Sequence, residues 1–383
     1  MQRLECPIRA YAWGSRTSIA RIQNRPAPTP QPEAELWVGA HPAAPAGLAG
    51  VPLHERIAAD PAGTIGPETT ARFGARLPFL LKLLAADAPL SLQAHPDQDR
   101  AAAGYAAEEK LGIPAGALHR RYMDPYHKPE LLVAVTGFRA LCGFRDPART
   151  ADLLAPLGVP ALAPTVTALR RGDLAAAVAS LLGGGGRDPA AVAAVVAAAR
   201  DRGGPYALAG ELAAAYPGDP AVVVALLLNQ VTLAPGEAIF MPAGNLHTYL
   251  HGTGVEIMAA SDNVLRGGLT TKPVDVDELL RMLRFEALDE PVRAAVPVGP
   301  GVVTWPVPVR DFTLHRVRLD VALPGAEITV PGPRVVLCLS GALRVDDGLA
   351  PLVLRPGEAG FGPPVARPLT FAGVGEGYLA STG

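Results

Sequence analysis

Residues 236–272, GEAIFMPAGNLHTYLHGTGVEIMAASDNVLRGGLTTK, set a glycine, five residues, a proline, one residue, a glycine, two residues and a histidine in a row. Proline pre-sets φ at a turn, and a glycine or asparagine accepts positive φ. The spacing therefore predicts a strand over 238–241, a tight turn over 242–245 and a second strand beginning at His247. A hairpin of that kind aims the side chain after the turn reproducibly. For His247 this means a ring directed at one spot inside a barrel, as metal ligation requires.

A chain of 383 residues exceeds one ordinary domain, so two or three are expected. Its 34 basic and 36 acidic residues nearly cancel, which argues against general nucleic-acid binding. The opening MQRLECPIRAYAW lacks a signal-type apolar core, and no apolar run reaches the roughly 18 residues of a membrane span. Cys6, Cys142 and Cys338 lie far apart without metal-type spacing. A reduced, cytoplasmic protein, away from membranes and monomeric, is the expectation. Only four basic residues are lysine, namely Lys82, Lys110, Lys128 and Lys272. Arginine serves wherever charge alone suffices, so the remaining lysines mark places that need a compact ammonium.

In chain order, 35–39 reads as a short strand, helices are expected near 51–59 and 69–75, and 77–90 reads as two buried strands. Lys82 inside that apolar stretch requires a partner or a polar cavity. The strand 91–96 alternates, with Ser91, Gln93 and His95 on one face and Leu92 and Ala94 on the other. Asp97 caps a helix over 98–111, and Lys128 and Glu130 share one face of the next strand. Residues 148–228 turn alanine- and leucine-rich, with breakers that include the glycine run 183–186, and predict four or five helices. Asp188-Pro189 is a cap with proline at the first helical position. A closing helix is expected over 275–283, then short strands to the end. There, LRPGEAGFGP at 354–363 echoes LAPGEAIFMP at 233–242, with Pro368 where His247 would be. The echo keeps the turn and loses the ligand, so it predicts a second, structural barrel without metal.

Gln93, His95, Glu130 and His247 together offer an amide oxygen, two imidazoles and a carboxylate, a set that suits zinc with room for water or substrate. Glu256, Asp262, Arg266 and the lysines add charge around it. A zinc site among cations fits an anionic, oxygen-rich small molecule such as a sugar phosphate.

The blocks YAWGS, AELWVGAHP, LPFLLKLLAADAPLSLQAHPD, HKPELLVAVTGFRALCGFR, YPGDPAVVVALLLN and the motif stretch itself resemble the type I mannose-6-phosphate isomerases, over roughly residues 5–285. The motif around His247 also resembles the second motif of the cupin barrels. The resemblance implies a mainly β protein of cupin-type jelly-roll barrels with a helical insertion. Residues 1–147 and 229–284 would form the catalytic barrel, 148–228 the helical domain and 285–383 a degenerate C-terminal β domain. It implies one zinc per chain on Gln93, His95, Glu130 and His247. It further implies interconversion of mannose 6-phosphate and fructose 6-phosphate, Arg266 as the active-site arginine, and Ser91, Lys82 and Lys272 near the phosphate. Proton transfer through an enediol needs a base, for which Glu256 is preferred over Asp262 and Lys128. Two departures are Gln98, where lysine often follows the AHPD block, and a poor match over the last hundred residues. Competing readings are a metal-dependent cupin oxygenase, which bound iron would mark, and a non-catalytic sugar-phosphate-binding cupin.

Overall fold

The computed structural model describes residues 1–117, 119–183 and 188–383. Its pillar is the 13-residue strand His247–Ala259, buried nearly throughout because both of its faces are covered. The early half of this strand pairs with Leu92–Ala94 and Phe138–Phe144. After a register shift between Tyr249 and His251, the later half pairs with Phe79–Ala86 on one side and Glu130–Ala134 on the other. One strand thus spans two patches of sheet and brings distant segments to its two edges.

The stretch 77–90 forms one strand, Phe79–Ala86, where two were expected. Past Ala86 the backbone N–H groups of Asp87 and Ala88 donate to Trp13 O (2.9 and 3.2 Å), and Pro89 has no N–H to pair. The chain leaves the sheet there. The turn strands Ala238–Met241 and His247–Ala259 begin where the proline–glycine spacing places them.

Among the described residues, six α-helices lie between the strands Phe138–Phe144 and Leu228–Leu233 where four or five were expected, with Ala221–Val224 a short extra turn begun at Pro220. Asp146, Asp173 and Asp188 cap three of them, accepting from Arg149, Ala176 and Ala190 N–H at 2.8, 2.9 and 2.9 Å. Of the expected glycine breaker, residues 184–186 lie outside the described residues. The helices bury Val178, Leu181, Leu212 and Val222 against Leu92, Leu246, Leu265 and Leu279 of the barrel end. Leu92 and Leu265 alternate with Gln93 and Arg266, so packing one face onto the helices presents the other to the interior.

A second 11-stranded sheet gathers the C-terminal strands together with Gln2–Glu5, Gly47–Leu48 and Val51–Pro52 from the opening of the chain. Gln2–Glu5, grouped with the first barrel in the reading of the sequence, pairs here with Ala359–Gly362. The two sheets share a core in which Leu36, Leu81, Leu131 and Val255 meet Trp305, Leu337 and Tyr378. Truncating a fully buried tryptophan such as Trp305 to alanine costs about 3–5 kcal/mol. Among the described residues no helix is long and apolar enough to cross a membrane.

Candidate metal centre

The turn at 242–245 closes with Asn245 N–H donating to Pro242 O (3.2 Å), and Gly244 N–H donates to His95 O (2.8 Å). Gly244 has φ +74°, and a Cβ there would stand 2.9 Å from Met282 O, so a side chain would be both strained and crowded. Held this way, His247 enters its strand directly opposite Gln93, and Gln93 in turn lies opposite Arg266. Direct partners in antiparallel strands share a face, so Arg266, Gln93 and His247 form one row. Glu130 comes from the other patch of sheet, opposite Met241 and Met258.

His95 Nε2 lies 3.3 Å from Glu130 Oε1, and His247 Nε2 lies 3.2 Å from Glu130 Oε2. All three residues are buried, and one ligand atom from each falls within 4.8 Å of the others. The far ring nitrogens settle the tautomers. His95 Nδ1 meets Asn263 O at 2.7 Å and His247 Nδ1 meets Asn245 O at 2.9 Å, and a carbonyl only accepts. Each Nδ1 therefore carries the proton, leaving each Nε2 with a lone pair aimed at the carboxylate. His95 Nε2, His247 Nε2 and Glu130 Oε2 are buried without a hydrogen-bond partner. Two lone pairs facing an anion in a buried pocket are unfavourable until a cation sits among them, and imidazole and carboxylate donors suit zinc. Burial pushes His95 down to about 4, keeping it neutral. Burial works against the Glu130 charge too, and the Lys128 ammonium counters it, favouring the carboxylate.

Beside this centre runs a buried polar chain. Trp37 Nε1–H donates to Glu35 (2.7 Å), Lys82 Nζ meets Glu35 at 3.4 Å and Glu256 at 3.0 Å, and Tyr249 O–H donates to Glu256 (2.6 Å). Burial opposes the Lys82 charge, but Glu256, Glu35 and Glu130 together raise its pKa. Burial pushes Glu256 up, and Lys82 opposes that. Both Glu256 oxygens are engaged, and the Lys82 ammonium is committed to two carboxylates.

The other expected site residues differ in burial and partners. Arg266 is half-buried, its pKa lowered by burial, and among the described residues no carboxylate pairs with it. Lys128 Nζ is 3.3 Å from Glu130. The Asp262 side chain is 52% exposed and meets His41 Nε2 at 3.4 Å. Ser91 is half-buried just ahead of Leu92–Ala94, while Lys272 is exposed. Gln98, the departure from the family pattern, joins Pro125 O (2.8 Å) to His127 N–H (3.3 Å).

Several residues carry parts of the site that the sequence reading did not single out. Asn263 accepts from His95 through its carbonyl and staples the chain to Asp124 and Tyr126, its amide donating to both carbonyls at 2.8 Å. Asp262 N–H donates to Asp124 Oδ2 (2.7 Å). Tyr249 secures Glu256, His41 faces Asp262, and Asp311 from the second half of the chain meets His127 Nε2 at 2.9 Å. The signal for Asn263 and Asp124 was a polar Ser-Asp-Asn run directly after a buried strand, which needs partners to be buried.

The type I phosphomannose isomerase catalytic-domain pattern matches residues 1–147. Over 98% of this chain and 98% of the relative, the sequence is 38% identical to mannose-6-phosphate isomerase of Escherichia coli (strain K12). It is 32% identical to the Homo sapiens mannose-6-phosphate isomerase over 82% of this chain and 81% of that one. The structure is similar to a zinc-bound mannose 6-phosphate isomerase crystal structure at a TM-score of 0.92 and 36% identity, covering 100% of this chain and 99% of that one.

Proposed function

The chain belongs to the type I phosphomannose isomerase family, and from that premise we propose how its residues interconvert mannose 6-phosphate and fructose 6-phosphate with zinc. The observation that carries the reading is the trio of buried, unpartnered atoms on His95, Glu130 and His247. We assign these three and Gln93, which stands beside His247 in the row, as the zinc ligands. When bound, zinc supplies a fixed positive charge that favours negative charge on the sugar oxygens.

The reaction moves one proton from C2 to C1. A base takes the C2 proton, the C–H electron pair forms the C1=C2 bond, and the carbonyl pair moves onto O1, giving an enediol once O1 is protonated. Return of the proton to C1, with loss of the O2 proton, leaves the ketose. Among the described residues Arg266 has no competing carboxylate, and we assign its planar fork to the developing oxyanion. For the base we favour Asp262 over Glu256 and Lys128. Its carboxylate is half-exposed, whereas Glu256 has both oxygens engaged and Lys128 leans on Glu130. Ser91 and Lys272 remain our assignments for the phosphate end. Lys82 contributes charge from behind, through Glu256 and Glu35.

We read residues 1–147 with 229–284 as the catalytic unit, 148–228 as the helical insertion and 285–383 as the C-terminal unit, with the N-terminal strand lent to the last. The same reading makes the enzyme a cytoplasmic monomer acting on a small sugar phosphate, and size-exclusion chromatography tests the oligomeric part. Nothing in the donor set favours an oxygenase or a silent binding protein. An isomerase assay beside elemental analysis tests the whole. Turnover with about one zinc per chain, lost on chelation, is expected, and full activity in metal-free protein would overturn it.

A further inference from the structure

We propose that His41 is a positioning residue that holds the Asp262 carboxylate in its working orientation, an inference resting on the assignment of Asp262 as the proton carrier. His41 ends the segment that follows the strand Glu35–Gly39, one strand over from Lys82. Its ring is buried and meets Trp37 edge-on, with centroids 5.0 Å apart at 74°, so its plane is set by packing. Ala43 N–H donates to His41 Nδ1 (3.3 Å). A backbone amide only donates, so Nδ1 is the acceptor and the neutral ring carries its proton on Nε2. Nε2 lies 3.4 Å from Asp262 Oδ1, on the side of the ring that carries the proton. A long contact of this sort is common at catalytic groups before substrate is bound.

Asp262 is held unevenly. Its backbone N–H is tied to Asp124, and its neighbours Ser261 and Asn263 are tied to Asp124 and Tyr126. Among the described residues, however, His41 is the one side chain that meets its carboxylate. The backbone is anchored, and the His41 ring is the side chain beside the carboxylate that its last torsions can turn towards. Burial, with Lys82 and Lys128 adding to it, pushes His41 down against Asp262 and Asp124. The neutral ring orients the carboxylate without cancelling the charge it needs to accept a proton.

The two ring nitrogens can be tested apart. His41→Asn retains an acceptor near Nδ1 for the turn and removes the Nε2 donor, while His41→Gln places an amide N–H near Nε2. Each is made in the wild-type and the Asp262→Asn backgrounds, with zinc content and Tm measured beside kcat and KM for mannose 6-phosphate. His41→Asn is expected to keep its zinc and fold, with kcat down about ten- to a hundredfold and KM changed by less than about threefold. His41→Gln is expected to recover most of that loss. In the Asp262→Asn background, His41→Asn should cost less than about twofold more. An equal loss in both backgrounds, or no recovery with Gln in a folded protein, overturns the role of His41. Near wild-type kcat for Asp262→Asn alone overturns the assignment of Asp262 instead, and the proposal with it.

Discussion

The two barrels use one backbone device for opposite ends. In the first, Gly236 (φ +92°) donates to Ala134 O at 2.8 Å; in the second, Gly357 (φ +77°) donates to Cys338 O at 2.8 Å. The glutamate that follows each glycine returns its side chain to the backbone N–H three residues earlier, Ala234 or Arg355, at 2.8 Å in both. Each turn feeds a four-residue strand, Ala238–Met241 or Ala359–Gly362, and each barrel has a 13-residue strand beyond it. Following the register to the end of the pair, Met241 lies opposite Glu130 and Gly362 lies opposite Arg334. Where the first barrel collects acceptors for an ion, the second carries a built-in cation. Arg334 is fully buried and donates to Val365 O (2.8 Å) and Arg367 O (2.5 Å). With Pro368 in place of His247, the second barrel retains the shape and none of the donors. Backbone likeness therefore says little about chemistry, which rests on a few side chains.

The largest break in that comparison is His247→Ala set against Pro368→Ala. The first should lose most of its zinc and its kcat by more than about a hundredfold, since losing a ligand exceeds losing a partner of one. The second should match wild type in elemental analysis and in turnover. Metal retained in His247→Ala would move the centre elsewhere.

Arg266→Lys comes next. It keeps the charge and loses the planar fork, so kcat should fall about a hundredfold with zinc intact and KM little changed. Steady-state kinetics with a zinc assay decides it, and an unchanged kcat would remove Arg266 from the chemistry.

Arg334→Met sharpens the comparison from the other barrel. It strands the Val365 and Arg367 carbonyls, so stability should fall by about 1–3 kcal/mol in denaturant melts, with zinc content and kcat unaltered. Loss of zinc there would show the barrels to be coupled.

The smallest effect is a pH dependence of stability. Burial pushes His315, in the second barrel, from 6.5 down to about 4. Between those values the unfolded chain binds a proton that the folded one refuses, so its contribution is full above 6.5 and fades as pH falls towards 4. His315→Gln should flatten that part of the acid limb of Tm without touching activity. An identical limb would assign it to other groups.

Legibility from sequence followed how local each determinant is. The turn at 242–245 and the Asp188 cap are written in adjacent residues, and both stand where their chemistry places them. The convergence of His95, Glu130 and His247 was readable because Glu130 and His247 each begin a strand and His95 directly follows one, Leu92–Ala94, a residue short of the strand end expected at 96. His41, Tyr249 and Asn263 were not readable, since their roles depend on partners brought up by register. Lys82 shows the same limit: its isolation in an apolar run announced a partner, but only the pairing of its strand with His247–Ala259 names Glu256.

The long strand His247–Ala259 also has a consequence in time. Proteins are made from the N-terminus, and the strand that completes the metal pocket follows the whole helical stretch. A growing chain that has not reached His247 holds the pocket only in part: one imidazole, one carboxylate and the Gln93 amide, with no pillar to align them. The full ligand set exists only after the helices have been made. From then on, whatever binds the finished pocket also draws the folding equilibrium towards the native chain, so metal loading records that the chain has passed the helices and the strand His247–Ala259.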